Sequence, residues 1–175
     1  ITLDLKNLQV DSILFHGAQL GFNYSNDIIT AFFGITLAKD HEDELTIYYR
    51  GVPSRDPVWG GFYFDADYIY NLGIGLSTTP PNFGKVWFPC FDNFVERSTY
   101  DYYVTTTLDK KAYCVGTFIS EEMIGSSKIK RHYNMKTPIT TYLSNIAAAN
   151  YTEYNDSHQG IAASIPIQLV SKAAD

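Results

Sequence analysis

The sequence has 175 residues, enough for one domain with a substantial core, and its 45% hydrophobic content excludes an intrinsically disordered chain. The formal net charge is −6, and no basic stripe is present to neutralise phosphates, which argues against a nucleic-acid-binding protein. No apolar run reaches the roughly 18 residues that a membrane-spanning helix needs.

Neither end of the chain looks like the natural end of a protein. It begins at Ile1 without an initiator Met or a signal peptide, and it stops at Asp175 directly after a predicted strand. We interpret it as a piece of a longer protein, and a removed leader would favour export to the periplasm, the cell surface or the medium. Glycosylation triplets at Asn23, Asn150 and Asn155 act only in a glycosylating host, so they leave the compartment open.

The apolar pattern along the chain is that of short strands. Apolar and polar residues alternate with a period of two, turn residues recur at short intervals, and aromatic residues, which favour strands, make up 15% of the chain. In chain order the predicted strands cover 1–10, 13–15, 19–24, 28–37, 45–49, 60–64, 98–108, 112–119, 128–135, 141–149 and 161–170. This rhythm predicts an all-β sandwich or barrel.

Other segments predict turns, single helical turns or an exposed face. Polar clusters predict turns at 25–27, 65–67 and 155–160 and a charged hairpin tip at 39–44. Single helical turns are indicated at 94–96, with Asp92 as the cap, and at 121–123. The most basic segment, Lys128–His132, alternates charged and apolar residues and predicts one exposed strand face.

The least regular part of the chain, Gly51–Gly84, precedes its densest aromatic cluster. Thr79-Pro80-Pro81-Asn82 is excluded from a central strand because two consecutive prolines donate no ladder hydrogen bonds. Long irregular excursions in compact domains often carry function. The following segment, Lys85–Asn93, predicts a turn or sheet edge packed over the core.

The residues that could bind a metal do not form a recognisable motif. The four histidines, His16, His41, His132 and His158, are not at metal-ligand spacing. His41-Glu42 begins like the zinc motif H-E-x-x-H, but Leu45 stands where the second histidine belongs. We predict no metal ligand and no cofactor in this chain.

The candidate nucleophiles and acids also lack a catalytic arrangement. Cys90 and Cys114 fall in apolar contexts, where they could either form a disulfide or remain buried thiols. The acidic pairs, which are Asp65/Asp67, Asp40/Asp43 and Asp92/Glu96, are typical of turns and caps. We predict no catalytic residue in this chain.

The aromatic cluster carries a family resemblance. Phe88-Pro89-Cys90-Phe91-Asp92 is similar to the F-P-C-F-D segment in the N-terminal domain of aminopeptidase N-type zinc metallopeptidases, the gluzincin aminopeptidases. Five further segments resemble that domain in the same order, namely Asp4–Ile13, Tyr48–Gly51, Gly61–Tyr63, Ser98–Tyr100 and Thr137–Leu143. The resemblance covers essentially the whole chain.

The resemblance implies a role beside a catalytic domain. It implies that residues 1–175 form a single, saddle-shaped β-sandwich of mostly antiparallel strands, in which Phe88–Asp92 is structural. A thermolysin-like zinc domain would follow Asp175, and this domain would pack against it and form one wall of its substrate cavity. Zinc would be held there, and the partners of this chain would be that catalytic domain and peptide substrates.

The sequence departs from the family at one functional position. The family has a Gln or Glu shortly before the F-P-C-F-D segment that binds the free amine of the substrate, but this position falls at Thr79 and Pro80 here. Asp65 and Asp67 are the nearest local acids and therefore the candidates for substrate binding. An unpaired buried ammonium is costly, so any missing anchor must be supplied elsewhere.

Two alternatives remain open from the sequence. In one, the chain is a stand-alone binding module whose aromatic platform of Trp59, Tyr63, Tyr68 and Tyr70 stacks on sugars or holds a partner protein. In the other, it is the scaffold domain of an inactive peptidase homologue, which would explain the missing amine anchor.

Overall fold

The computed structural model describes residues 1–36, 38–161 and 163–172, and these residues are almost entirely β. The strands are β1 (Thr2–Asp4), β2 (Gln9–Phe15), β3 (Ala18–Gln19), β4 (Gly21–Ser25), β5 (Ile28–Phe32), β6 (Leu45–Arg50), β7 (Gly60–Phe64), β8 (Tyr68–Gly75), β9 (Ser98–Thr107), β10 (Lys111–Cys114), β11 (Thr117–Ile124), β12 (Lys128–Ile139), β13 (Ile146–Ala149), β14 (Tyr151–Gln159) and β15 (Ser164–Lys172). Short 3-10 helices cover Gly84–Val86 and Thr141–Leu143. Within the described ranges, no helix has the length and apolarity needed to cross a bilayer.

The first six strands form two small sheets that share one core. The sheets have the orders β1-β5-β4 and β3-β2-β6, and every pairing in them is antiparallel. Alternation along β2 and β5 turns apolar side chains inward, where Ile13 and Ile29 are fully buried beside Leu5 and Leu8. Burying each of these side chains contributes about 1.5–3 kcal/mol.

The remaining strands form three further antiparallel sheets. Their orders are β10-β13-β8-β7, β11-β12-β9 and β14-β15. A second core of Phe62, Phe83 and Val86 lies against the four-stranded sheet. The predicted all-β sandwich of mostly antiparallel strands is therefore confirmed.

The longest strand, β12, corrects the prediction for the basic segment. Ile129, Arg131 and Tyr133 lie on the buried face of β12, because alternate residues of a strand face the same side. The Arg131 guanidinium lies 4.4 Å from the ring centre of Tyr113 and 4.7 Å from that of Phe118. Lys128–His132 is therefore not one exposed face, since its arginine is part of the interior.

The N-terminal region is more broken than predicted. The strand predicted over 1–10 is interrupted after Asp4, and Asn7, with φ 56°, turns the chain toward β2. The strand predicted over 28–37 ends at Phe32, and Leu37 lies outside the described residues. Segment 39–44 joins β5 to β6, which belong to different sheets, so it is a crossover and not a hairpin tip.

Three other local predictions were wrong. Residues 155–159 belong to β14, and the turn to β15 comes later, where the Gly160 amide donates to the Ala163 carbonyl. Segment 121–123 lies inside β11, and residues 93–95 form a bend, so 94–96 is not a helical turn. The amides of Val95 and Glu96 donate to the Asn93 side chain, so Asn93 caps this bend in place of Asp92.

Candidate functional site

The irregular segment after β8, residues 76–82, folds back on the strand that it leaves. The Gly75 amide donates to the Pro81 carbonyl at 2.8 Å, and the Phe83 amide donates to the Gly73 carbonyl at 2.8 Å. Among the described residues, an isolated bridge between Ile74 and Asn82 is the only sheet pairing that residues 76–82 make. This agrees with the prediction that Thr79–Asn82 is not a central strand. We call residues 76–81 the β8 loop.

A buried carboxylate holds the base of the β8 loop. Asp56 is 5% exposed and accepts hydrogen bonds from the Ser77 hydroxyl and amide. It also accepts the amides of Val58 at 2.9 Å and Trp59 at 3.0 Å, so it ties the loop before β7 to the loop after β8. The role of Asp56 is not predictable from local sequence, because its hydroxyl partner Ser77 is 21 residues away along the chain.

The acidity of Asp56 follows from these contacts and gives a pH-dependent prediction. Burial alone would raise the pKa of Asp56, but the hydrogen bonds from Ser77, Trp59 and Val58 outweigh it and lower the pKa to about 2. A lowered folded-state pKa contributes stability above the usual pKa of 3.8, and this contribution is lost as the pH falls toward 2. We expect Ser77→Ala to raise the pKa of Asp56 toward 3.8, so the variant should be less stable than the unmodified chain at pH 5, and this difference in the free energy of unfolding should shrink as the pH falls toward 2. Urea unfolding measured between pH 5 and pH 2 checks this.

The control for this prediction is Thr78→Val. The Thr78 hydroxyl donates to the Gly75 carbonyl at 3.0 Å and not to Asp56. This variant should therefore change stability equally at all pH values. The assignment fails if the two variants show the same pH profile.

The tip of the β8 loop is exposed and partly apolar. Thr79 and Pro80, where the sequence resemblance puts the amine-anchor position, are exposed and joined by a cis peptide bond. The Leu76 amide donates to the Trp59 carbonyl at 3.0 Å, and the side chains of Leu76 and Trp59 are 57% and 47% exposed. The loop therefore presents uncharged Thr79 and Pro80 at its tip and exposed Leu76 beside the base that Asp56 fixes.

The structure does not bring the acidic candidates to this loop. Asp65 and Asp67 lie at the hairpin turn between β7 and β8, whereas the β8 loop leaves the opposite end of the eight-residue strand β8. Asp65 forms an ion pair with Arg55 at 2.5 Å, and Asp67 forms one with Lys172 at 2.5 Å. At about 3.3 Å per residue, β8 separates them from the loop by roughly 25 Å.

The F-P-C-F-D segment joins the two halves of the molecule. Cys90 and Asp4 exchange backbone hydrogen bonds of 3.0 and 2.8 Å, and the Lys6 amide donates to the Lys85 carbonyl at 2.7 Å. The Tyr49 hydroxyl donates to the Trp87 carbonyl at 3.0 Å. The segment therefore connects the N-terminal sheets to the second core.

Asp92 anchors the same segment to two other parts of the chain. Its side chain is inaccessible and accepts the Gly84 amide at 3.2 Å and the Thr141 hydroxyl at 2.9 Å. Its backbone carbonyl accepts a hydrogen bond from the Asn82 amide group. The β8 loop is thus fixed at its base by Asp56 and at its exit by Asp92.

The aromatic platform considered from the sequence is only partly assembled. Tyr63, Tyr68 and Tyr70 lie on one face of the β7–β8 pair, and the rings of Tyr63 and Tyr70 stack with centres 4.8 Å apart. Trp59 precedes β7 and contacts the β8 loop instead. The three tyrosines therefore form the assembled part of the platform, and no ring contact joins Trp59 to them among the described residues.

Histidines and cysteines form no metal or redox site in the part of the chain that the structure describes. His16 and His41 share the Asp43 carboxylate at 2.6 and 2.9 Å, but no group of three or more metal-ligating side chains is found in that part. Cys90 and Cys114 are free thiols, and desolvation raises the pKa of Cys114 to about 12. The described residues therefore do not fit a zinc ion.

Comparison with solved structures identifies the fold. The M1 zinc metallopeptidase from Deinococcus radiodurans aligns with a TM-score of 0.84 and 18% identity, over 99% of this chain and 40% of that one. A variant of that enzyme bound to a Tyr-Ser-Ala substrate aligns with a TM-score of 0.85, at the same identity and coverage. Aminopeptidase A from Legionella pneumophila, in complex with aspartic acid, aligns with a TM-score of 0.78 and 13% identity, over 97% of this chain and 19% of that one.

These matches concern fold, and they cover part of the matched proteins. The chain spans about 40% of the length of the first matched structures, and the predicted resemblance to an N-terminal domain of zinc metallopeptidases is confirmed at the level of fold. No protein-family model and no curated protein matches the sequence.

Proposed function

We propose that this chain is the non-catalytic N-terminal domain of a zinc-dependent, aminopeptidase-like peptidase, and that it packs against the catalytic domain and forms a wall of its substrate cavity. The observation that carries the proposal is the fold match over 99% of the chain to zinc metallopeptidases that are much longer than it is. The order of the sequence motifs supports the same conclusion. Zinc would belong to the domain expected after Asp175.

The β8 loop is the part of this domain that we assign to the cavity wall. Trp59 and Leu76 present exposed apolar side chains beside its base. Asp56 fixes the base of the loop through hydrogen bonds, so the wall is rigid before any partner binds. A preorganised wall avoids the entropy cost of ordering a loop when substrate binds.

A neighbouring apolar surface supports packing against another domain. Phe94 and Val95 are 41% and 81% exposed, and Leu143 is 42% exposed. The Phe94 ring centre lies 5.2 Å from that of Tyr142, whose carbonyl oxygen closely approaches the backbone at Gly73. Exposed apolar patches of this kind mark protein-protein contacts.

Recognition of the substrate amine falls to the catalytic domain in this proposal. Thr79 and Pro80 carry no charge at the anchor position, and Asp56 is buried and already accepts hydrogen bonds from three residues. Asp65 and Asp67 are paired with cations at the far end of β8. This domain therefore shapes the cavity without binding the charged end of the substrate.

Activity measurements on the chain and on its parent test the proposal. We expect this 175-residue chain to release no product from aminoacyl-p-nitroanilides, with or without zinc. The full-length gene product should contain H-E-x-x-H downstream of Asp175 and should show turnover that a chelator abolishes and zinc restores. Zinc-dependent turnover by the chain alone, or absence of the zinc motif from the gene, would refute the proposal.

The same measurements address the inactive-scaffold alternative. A parent that retains the downstream zinc motif but gives no turnover on any aminoacyl substrate would support the scaffold role over the enzymatic one. The reason to test this alternative is that Thr79 and Pro80 stand where the resemblance predicts the amine anchor, and neither can bind an ammonium as Gln or Glu would.

A further inference from the structure

The four-stranded sheet carries a groove that the proposed function does not use. Strand register places Tyr70, Ala147 and Tyr113 side by side on β8, β13 and β10. Directly paired residues in antiparallel strands project to the same face, so the two tyrosines flank an alanine. A cavity of about 570 Å³ lies at this place, and Tyr151 also lines it.

The groove has the width of one ring. Neighbouring strands are about 4.8 Å apart, which separates the backbones of Tyr70 and Tyr113 by roughly 10 Å. The methyl group of Ala147 leaves the space between the tyrosines unfilled, and stacked groups need about 3.5–4 Å on each side. The register therefore leaves room for one flat ring between the tyrosines, above Ala147 and beside the Tyr151 ring, whose centre lies 5.4 Å from that of Tyr113.

Both walls of the groove are held in place from behind. Tyr63 stacks on Tyr70, and its hydroxyl accepts the Gly60 amide at 2.8 Å. Arg131 lies against the ring of Tyr113, whose hydroxyl donates to Glu153. The slot is therefore preorganised.

The polarity of the groove selects a neutral ligand with hydroxyl groups. Asn145 lies at one end, with its side-chain amide bonded to Asn71 and Leu143, and the hydroxyls of Tyr70 and Tyr151 bond to no protein group within the described ranges. The cations nearest the walls, Arg55 and Arg131, are each paired with a carboxylate. Neither of these cations is free to bind an anion, whereas a sugar ring offers apolar faces to the tyrosines and hydroxyls to the polar rim.

We propose that the slot between Tyr70 and Tyr113, above Ala147, binds a pyranose ring of a neutral glycan. This site is separate from the β8 loop and from the residues assigned to the cavity wall. The proposal therefore stands or falls independently of peptidase function.

Titration calorimetry with maltohexaose, cellohexaose and chitohexaose tests the proposal on the full 175-residue chain. We expect at least one of these glycans to bind with a Kd of about 1 mM or tighter. Ala147→Leu should weaken that binding about tenfold or more by filling the slot, and Tyr70→Ala should weaken it similarly by removing one wall.

Trp59→Ala provides the matched control, because Trp59 is an exposed aromatic residue that does not line the groove. It should leave glycan binding unchanged, and thermal unfolding should confirm that all three variants fold. No binding of any of the three glycans would overturn the proposal. It would also be overturned if Trp59→Ala abolished binding while the folded Ala147→Leu variant retained it.

Discussion

Replacing Arg131 by alanine is expected to lower the free energy of unfolding by about 3–5 kcal/mol, because the substitution breaks a buried ionic cluster and empties the space between aromatic rings. The side chain of Arg131 is only 5% exposed. It donates to the Ala112 carbonyl at 2.9 Å, and its Nε lies 3.1 Å from the Glu121 carboxylate. Urea unfolding followed by circular dichroism measures the loss.

The size of this effect follows from where Arg131 lies. Its guanidinium joins β12 to β10 through the Ala112 carbonyl and reaches Glu153 of β14 at 3.4 Å. Removing it leaves Glu153 without its buried cation and leaves a buried carbonyl without a donor, which adds to the lost packing. Three sheets are affected by one substitution.

The neighbouring residue supplies the control. Lys130 forms an ion pair with Glu122 on the more exposed face of β12. Exposed ion pairs contribute little, so Lys130→Ala should change the free energy of unfolding by less than about 0.5–1 kcal/mol. The assigned role of Arg131 is wrong if the two alanine variants are equally stable.

Arg131 also shows what sequence alone could predict. The alternation from Lys128 to His132 correctly predicted a strand, and the family motifs correctly predicted the fold. The prediction of an exposed basic face failed because charge was taken to override the alternation. The partners that make burial of Arg131 tolerable, Glu121 and Glu153, lie in other strands, and local patterns contain no information about them.

The region around the β8 loop was also predicted only in part from the sequence. The prolines near Pro80 correctly excluded a central strand, because missing amide donors are a local property. Asp56 was not found, because its role depends on a contact with Ser77 across the sheet end. The groove above Ala147 was also missed, since it exists only in the register of β8, β13 and β10.

Replacing Gly60 by alanine should lower the free energy of unfolding by about 4 kcal/mol or more, because two independent effects act at this position. Gly60 has φ +112°, a conformation that side chains disfavour. A β-carbon there would also lie 1.8 Å from the Ile74 carbonyl oxygen, so the β7–β8 pair would have to separate. This pair carries the Asp56 loop and the second core.

Two other glycines separate the cost of the positive φ from the cost of the steric clash. Gly17 has φ +77°, but a β-carbon there would have nothing within 4 Å, so Gly17→Ala should cost only about 1–2 kcal/mol. Gly73 lacks a positive φ, but its β-carbon would lie 1.8 Å from the Tyr142 carbonyl oxygen, so Gly73→Ala should report the steric effect alone. If Gly60→Ala costs no more than Gly17→Ala, the close approach to Ile74 does not constrain the sheet. If Gly60→Ala costs more than either Gly17→Ala or Gly73→Ala, then both the close backbone contact and the positive φ at Gly60 hold β7 against β8. The β8 loop then depends on this strand pairing.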